Sequence, residues 1–343
     1  MNNHHPKSFL EQFIPQSVLR ATSDLRLDIS VNQKNVDVEI KNLLNKSMFI
    51  GGKRLRPLLM FLFAKLYKIP LEIISPYALS AELIHLATLS HDDVIDNATT
   101  RRGIPSINIL SSNKRAILTG DYLLAYTVFE LCKFDNIRIL QELSAVIKEL
   151  ALGEWMQLNL TEGKIDLPPK ISEVEEIAKK KTASVISFCT IVPAILSKRS
   201  EKIIELTRSI GHTFGIAFQL SDDLLDFSSE EQTGKNAFND LNNGTLNSVA
   251  VDFFNLHPKY WQRWIKNEFN IDQEIKNPEV YKLLEDSKSN IKKLIQEKKH
   301  LMNESLDNLA SELECECDYK CELEKEIIES MKSLSEYIYL RDH

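Results

Sequence analysis

The sequence predicts an all-α fold, and three observations carry that prediction. Apolar residues recur at helical spacing along almost the whole length, and no stretch alternates convincingly as a strand would. Only 10 Gly and 11 Pro occur in 343 residues, too few for a turn-dense all-β chain. Leu, Ile, Glu and Lys are abundant and favour helix.

The helices are expected at about 8–20, 35–49, 54–67, 73–97, 113–132, 136–160, 172–197, 201–228, 245–255, 258–268, 278–300, 302–314 and 320–339. Pro6, Pro15, Pro57, Pro70, Pro76, Pro105 and the Pro168-Pro169 pair mark starts or loops in the first half. In the fourth helix, Ile74, Tyr77, Ala78, Ala81, His85 and Thr88 share one face. Residues 270–300, rich in Lys, Glu and Asn, read as a solvated helix face. Tyr260, Trp261 and Trp264 read as core or dimer packing. No Gly-, Ser- or Pro-rich linker splits the chain and no repeat period emerges, so 1–343 is expected to form one domain.

Composition excludes several function classes. Lys plus Arg is 42 against 49 for Asp plus Glu, a net charge of −7, which disfavours general nucleic-acid binding. No apolar run approaches the roughly 20 residues that span a bilayer. The opening MNNHHPKSFLEQF lacks the order of a secretory signal. Five Cys, three of them at Cys315, Cys317 and Cys321, suit reduced thiols in a cytoplasm. That trio would bind a metal only with a fourth ligand.

The chemistry lies in two acidic runs. His91-Asp92-Asp93-Val94-Ile95-Asp96 and Ser221-Asp222-Asp223-Leu224-Leu225-Asp226 each read Asp-Asp-x-x-Asp at the end of an apolar helix. Positions i and i+4 share a helix face, so Asp92 projects with Asp96 and Asp222 with Asp226. Asp93 and Asp223 point roughly 100° away. Like charges at this spacing near a helix C-terminus are unfavourable, and accepting that twice implies a compensating cation. Oxygen donors without Cys or extra His select a hard ion, Mg²⁺, which commonly bridges a few carboxylates to substrate phosphates.

Basic residues narrow the substrate. Lys53, Arg54 and Arg56 follow the Gly51-Gly52 pair, Arg101-Arg102-Gly103 follows the first acidic run, and Lys181 and Lys235 stand in Lys-Thr and Gly-Lys contexts. Arg101 and Arg102 are placed either to pair with the aspartates or to grip phosphate. A diphosphate on an apolar tail fits the set.

Together these segments resemble the trans-isoprenyl diphosphate synthases, or polyprenyl synthetases. The matching blocks are GGKRLRPLL (51–59), HLATLSHDDVIDNATTRRGIPSIN (85–108), LTGDYLLA (118–125), GEWMQL (153–158), KKTASVISF (180–188), GIAFQLSDDLLDF (215–227) and GK (234–235), in family order over about 50–245. The closing SLSEYIYLRDH resembles the family's end, including Arg341. The resemblance implies an all-α homodimer with the two acidic motifs facing a central cavity. It implies an allylic diphosphate that loses pyrophosphate, an attack by isopentenyl diphosphate on the resulting cation, and a product five carbons longer. Carried over by position, Asp92, Asp96 and Asp222 would bind Mg²⁺, supported by Asp93, Asp223 and Asp226. Arg101, Lys181 and Lys235 would hold the allylic diphosphate, and Lys53, Arg56, His85 and Arg102 isopentenyl diphosphate. Thr182 and Gln219 would set oxygen dipoles near the developing cation. Any membrane contact would be peripheral, through the product.

The chain departs from the family pattern after Lys235. Where the family has Gly-Lys-x-Thr-x-Pro, this chain has Gly244-Thr245-Leu246-Asn247-Ser248-Val249, so one cation is missing. A charge-assisted contact is worth about 1.5–3 kcal/mol, and allylic binding is expected to weaken while activity persists.

Product length is expected to depend on Ala87 and Thr88, one turn before Asp92 and about 6 Å down the helix. The family closes its tail pocket with aromatic residues here in short-chain enzymes. Small residues therefore imply a long product, heptaprenyl to decaprenyl with octaprenyl favoured, and a floor supplied by Tyr126 or Phe129. Three other readings stay open: a shorter-chain farnesyl or geranylgeranyl synthase, a weakly active regulatory subunit of a heteromeric synthase, and a class I terpene cyclase. The cyclase would not need GGKRLRP or the arginine pair.

Overall fold

A computed structural model describes residues 12–29, 35–50, 52, 54–101, 103–162, 167–228, 238–316 and 322–340. Lys53, Arg102, Lys235, Cys317, Cys321, Arg341 and the side chain of Cys315 lie outside the described residues. The chain gathers into two compact units, one of Ile14–Ile147 and Phe188–Ile204, the other of Met1–Phe13, Lys148–Ser187 and Glu205–His343.

The first unit holds α1 (Gln16–Asp24), α2 (Asn35–Ser47), α3 (Leu55–Leu66) and α4 (Leu71–Ile95). A two-residue hairpin, β1 (Thr100–Arg101) and β2 (Ile104–Pro105), then leads through α5 (Ile107–Leu110) to α6 (Asn113–Cys132). α3 is buried without a break from Pro57 to Ala64, as its LRPLLMFLFAKL sequence demands of a helix apolar all round. α4 packs on α3 and α6, burying Ile74, Tyr77, Ala78 and Ala81 as their periodicity predicts. Pro76 lies inside α4 and not at its start, at the loss of one i→i−4 bond in the second turn. Ile29, Leu44, Met48, Leu83, Leu86, Ala87, Ile107, Ala116 and Leu123 form the core here.

Three helices cross the boundary between the two sets of residues: α7 (Ile137–Glu162), α9 (Ser184–Leu196) and α10 (Glu201–Asp226). The second unit adds α8 (Ile171–Ala178), a π turn (Lys179–Ala183), α11 (Asn239–Asn242), α12 (Ser248–Leu256), α13 (Pro258–Trp264), α14 (Ile271–Glu274), α15 (Pro278–Glu316) and α16 (Glu322–Leu340). α15 packs on α12 and α16. The break expected near residue 301 is absent, because Met302, Leu306 and Leu309 continue the buried stripe with no breaker between. The aromatic trio is core: Tyr260 and Trp261 are buried, and Trp261 stacks on Trp264 with ring centroids 5.3 Å apart.

Two features escaped the periodicity. The hairpin pairs only Thr100 with Pro105 and Arg101 with Ile104, too short to alternate. The π turn interrupts the single helix expected over 172–197, and the pattern hides it because Ser184–Leu196 is apolar almost all round, so a one-residue shift of face leaves no mark. Among the described residues, no helix is long and apolar enough to cross a membrane.

The half-buried His212 adds a pH-dependent contribution to stability. Burial in α10, with Lys179 and Arg208 adding repulsion, pushes the His212 imidazole down to about 4. The unfolded chain would protonate near 6.5, so it takes up the proton first as pH falls. His212 therefore contributes fully at pH 7, and its contribution is lost between about 6.5 and 4. We expect wild type to lose ~3 kcal/mol more than His212→Gln over that window in urea unfolding, since the opposite contribution of the raised Asp223 carboxyl is common to both. An equal decline in the variant would assign the effect elsewhere.

Candidate active site

The first acidic run closes α4. Asp92 lies in its last turn, half-buried, and Asp96 is its exposed C-cap. Asp93 points the other way and is fully buried, as the 100° offset requires. Its Oδ1 accepts from Arg101 Nε at 2.9 Å and Nη2 at 2.7 Å. The hairpin carries Arg101 there, with Gly103 at φ +74 supplying the turn that a side chain would strain. Asn108 Nδ2 donates to the Asp93 carbonyl at 3.1 Å and ties the following loop to the same point.

His91 leans on α6, its Nε2 3.1 Å from the Ile117 carbonyl oxygen and 3.3 Å from Asp121 Oδ1. The imidazole fills the space where a side chain at Gly120 would project, so the Gly120-Asp121 pair seats the end of α4 against α6. Arg56 and His85 are half-buried in the same unit, on α3 and α4. Arg54 is structural: its Nη1 donates to the carbonyls of Thr22, Ser23 and Leu25 at 3.1, 3.2 and 2.6 Å, where the end of α1 favours a cation.

The second run closes α10 in the other unit and repeats the plan. Asp222 and Asp226 are half-buried and Asp223 is buried. Gln219 Nε2 donates to Asp223 Oδ1 at 3.0 Å, and the Ser248 N–H to Oδ2 at 2.9 Å. Burial pushes the Asp223 carboxyl up to about 6, against the lowering effect of those bonds. Thr182 Oγ1 donates to Gln219 Oε1 at 2.7 Å, so Thr182, Gln219, Asp223 and the start of α12 form one chain. Gly215 lets α10 lie against the Ala183 backbone of the π turn, closer than any Cβ would allow.

The divergent segment hangs from this point. Phe238 N donates to the Asp226 carbonyl at 2.7 Å, and Asp240 N lies 3.2 Å from Asp226 Oδ2. Asn247 caps α12 by accepting from Ala250 N at 3.1 Å, and its Nδ2 donates to Asp240 Oδ2 at 3.1 Å. Val249 is buried in the core. Asn247 and Val249 thus serve the local fold, whereas Thr245 brings no charge in place of the absent lysine.

Lys181 is held on α7. Its Nζ pairs with Glu154 and donates to Gln157 Oε1 at 2.7 Å. Its neighbour Lys180 bonds Glu149 at 2.5 Å, which raises the lysine and lowers the carboxyl. Glu154 and Gln157 stand in the GEWMQL block, but nothing in that string assigns them to Lys181.

The residues near the start of the α4 ruler differ in character. Ala87 is wholly buried, in the core cluster that also holds Leu83, Leu86 and Leu123. Thr88 is half-buried, its hydroxyl donating to the His85 carbonyl at 2.8 Å. Tyr126 packs on the same core and stacks with Tyr122, centroids 6.2 Å apart. Phe129, expected as an alternative floor, is 64% exposed because it lies about 60° beyond Tyr126 round α6, away from the buried face of Thr119, Leu123 and Thr127.

The donors fit a hard divalent ion. Asp92 with Asp96 and Asp222 with Asp226 are carboxylate pairs one turn apart, the small number that magnesium takes when waters and phosphates complete its shell. Among the described residues, no three His, Cys, Asp or Glu side chains are gathered into a ready cage.

A polyprenyl synthetase profile matches residues 37–284. The chain belongs to the polyprenyl synthetase family. Its relatives in that family include heptaprenyl diphosphate synthase component 2 of Geobacillus stearothermophilus, 39% identical over 197 residues, covering 57% of this chain and 61% of the relative. Solanesyl-diphosphate synthase 2 of Oryza sativa is 35% identical over 272 residues, covering 76% and 66%. The chain thus aligns with less than two thirds of each of these relatives' lengths. A decaprenyl diphosphate synthase from Rhodobacter capsulatus has the same fold, with a TM-score of 0.76, 25% identity and coverage of 99% and 100%.

Proposed function

We propose that this polyprenyl synthetase condenses isopentenyl diphosphate with an allylic diphosphate, farnesyl or geranylgeranyl, to make a long-chain all-trans product, octaprenyl by preference. The observation that carries the reading is the repeated division of labour in the two acidic runs. In each, the middle aspartate is buried and tied down, Asp93 by Arg101 and Asp223 by Gln219 and Ser248. That anchoring orients the flanking pair, Asp92 with Asp96 and Asp222 with Asp226. A purely structural acidic helix end has no need of such a division.

In this reading Asp92, Asp96 and Asp222 carry magnesium, with Asp226 in support, and Lys181 and Lys235 meet the allylic diphosphate. Bound magnesium would supply Lewis-acid stabilisation of the departing pyrophosphate. Thr182 and Gln219 present oxygen dipoles to the allylic cation. Lys53, Arg56, His85 and Arg102 bind isopentenyl diphosphate, and Arg101 acts chiefly by fixing Asp93. The double bond of isopentenyl diphosphate attacks the cation, one proton leaves, and pyrophosphate is released. Water is excluded because it would capture the cation. We place the chain in the cytoplasm as a homodimer; Leu118 and Phe129 of α6 are exposed apolar side chains of the kind a second chain would cover.

A second reading follows from Thr245 and from the word "component" in one relative's name: the chain works only beside a partner subunit. One assay separates the two. The purified chain alone, with Mg²⁺, labelled isopentenyl diphosphate and farnesyl or geranylgeranyl diphosphate, should incorporate label into products of 35–50 carbons, about 40 dominating, and chelation should abolish this. No incorporation from either primer would reject the self-sufficient enzyme in favour of the subunit.

A further inference from the structure

Lys181 is a long, rotamer-rich side chain, and it does not stand alone. Its ammonium carries three donors, and two of them are occupied by Glu154 and by Gln157 Oε1 at 2.7 Å. The Lys181 and Glu154 side chains are mostly buried, 24% and 20% exposed, so the pair is shielded from the screening that weakens surface ion pairs. The backbone is shaped for this contact. Glu149, Gly153 and Gln157 lie one turn apart along α7, with Glu154 beside them. A Cβ at Gly153 would come within 2.7 Å of Lys181 Cγ and 2.9 Å of Lys180 Cβ. Only glycine lets α7 approach the π turn this closely. The π turn at Lys179–Ala183 turns Lys181 to α7 and Thr182 to Gln219.

We propose that Glu154 and Gln157 are positioning residues that hold the Lys181 ammonium in place, so that a diphosphate meets a cation already ordered. The inference rests on the reading of Lys181 as a ligand of the allylic diphosphate. Ordering a lysine in advance removes an entropic cost that the substrate would otherwise bear. The third ammonium donor remains for a phosphate oxygen. The arrangement matters more in this chain than where a second lysine is present, because position 245 is threonine. The cost is the nearby carboxylate, which repels an incoming anion. Holding outweighs repulsion if the lysine would otherwise sample several rotamers.

The test is calorimetric titration of the full-length chain with inorganic pyrophosphate and Mg²⁺, beside steady-state kinetics. Glu154→Ala should weaken pyrophosphate binding about ten-fold, the scale of one charge-assisted contact. Glu154→Gln keeps an acceptor and should stay within roughly three-fold of wild type. Glu154→Ala should raise KM for the allylic substrate while KM for isopentenyl diphosphate stays within about two-fold. In Lys181→Ala, adding Glu154→Ala should weaken binding no further, since the glutamate acts through the lysine. Gly153→Ala, which keeps both acceptors but displaces the Lys181 stem, should show the same allylic-selective loss. If Glu154→Ala fails to fold, the cycle of Glu154→Gln with Lys181→Ala and the Gly153→Ala titration decide. Binding in Glu154→Ala or Gly153→Ala that equals or exceeds wild type overturns the proposal, as does an additive double variant. Normal binding in Lys181→Ala overturns the ligand reading of Lys181 as well.

Discussion

Asp92→Ala should lower kcat/KM for chain elongation by at least about 10³-fold, roughly 4 kcal/mol of transition-state stabilisation, while the melting temperature stays near that of wild type. Asp92 is half-buried in the last turn of α4 and shares its face with Asp96. Removing its carboxylate takes away a metal donor and relieves, if anything, an unfavourable i, i+4 repulsion. Asp93→Ala should show the opposite order of effects. Its carboxylate is fully buried and takes two bonds from Arg101, so its loss strands the guanidinium and unties the hairpin. Breaking such a pair costs ~3 kcal/mol, and the melting temperature should fall clearly. Calorimetric melting and labelled-substrate kinetics on the two variants decide the matter. An Asp92→Ala enzyme that keeps a tenth of its activity would remove Asp92 from the metal set.

Thr88→Phe should shorten the product from 35–50 carbons to 20 or fewer, read by reverse-phase chromatography after dephosphorylation. Thr88 lies about 6 Å along α4 from Asp92, and its half-buried side chain has less to displace than that of Ala87. Ala87 is wholly buried in the core that holds Leu83, Leu86 and Leu123, so Ala87→Phe would overpack the core at a cost of ~1–3 kcal/mol and confuse chain length with stability. With Phe129 exposed, Tyr126 is the remaining floor candidate, and Tyr126→Ala should lengthen the product. Unchanged products in Thr88→Phe would place the length control on another helix.

Much of this was readable from local pattern. The buried face of α4 follows from the spacing of Ile74, Tyr77, Ala78 and Ala81, and α3 from an unbroken apolar run, because burial must follow the 3.6-residue turn. The same turn separates Asp92 and Asp96 from Asp93, and Asp222 and Asp226 from Asp223, before any coordinates are known. Helical period alone therefore determined the fold class, the main helices and which aspartates pair. It could not say what the inward aspartates touch, because Arg101 reaches Asp93 from a hairpin eight residues on and Ser248 reaches Asp223 from 25 residues away. Nor could it reveal the π turn, because the Ser184–Leu196 segment after it is apolar almost all round and hides a one-residue shift of face. The clamp of Glu154 and Gln157 on Lys181 was decided by tertiary packing, since it requires two helical segments brought close at a glycine. Periodicity reports which way a side chain points; only the packed chain determines what it meets there.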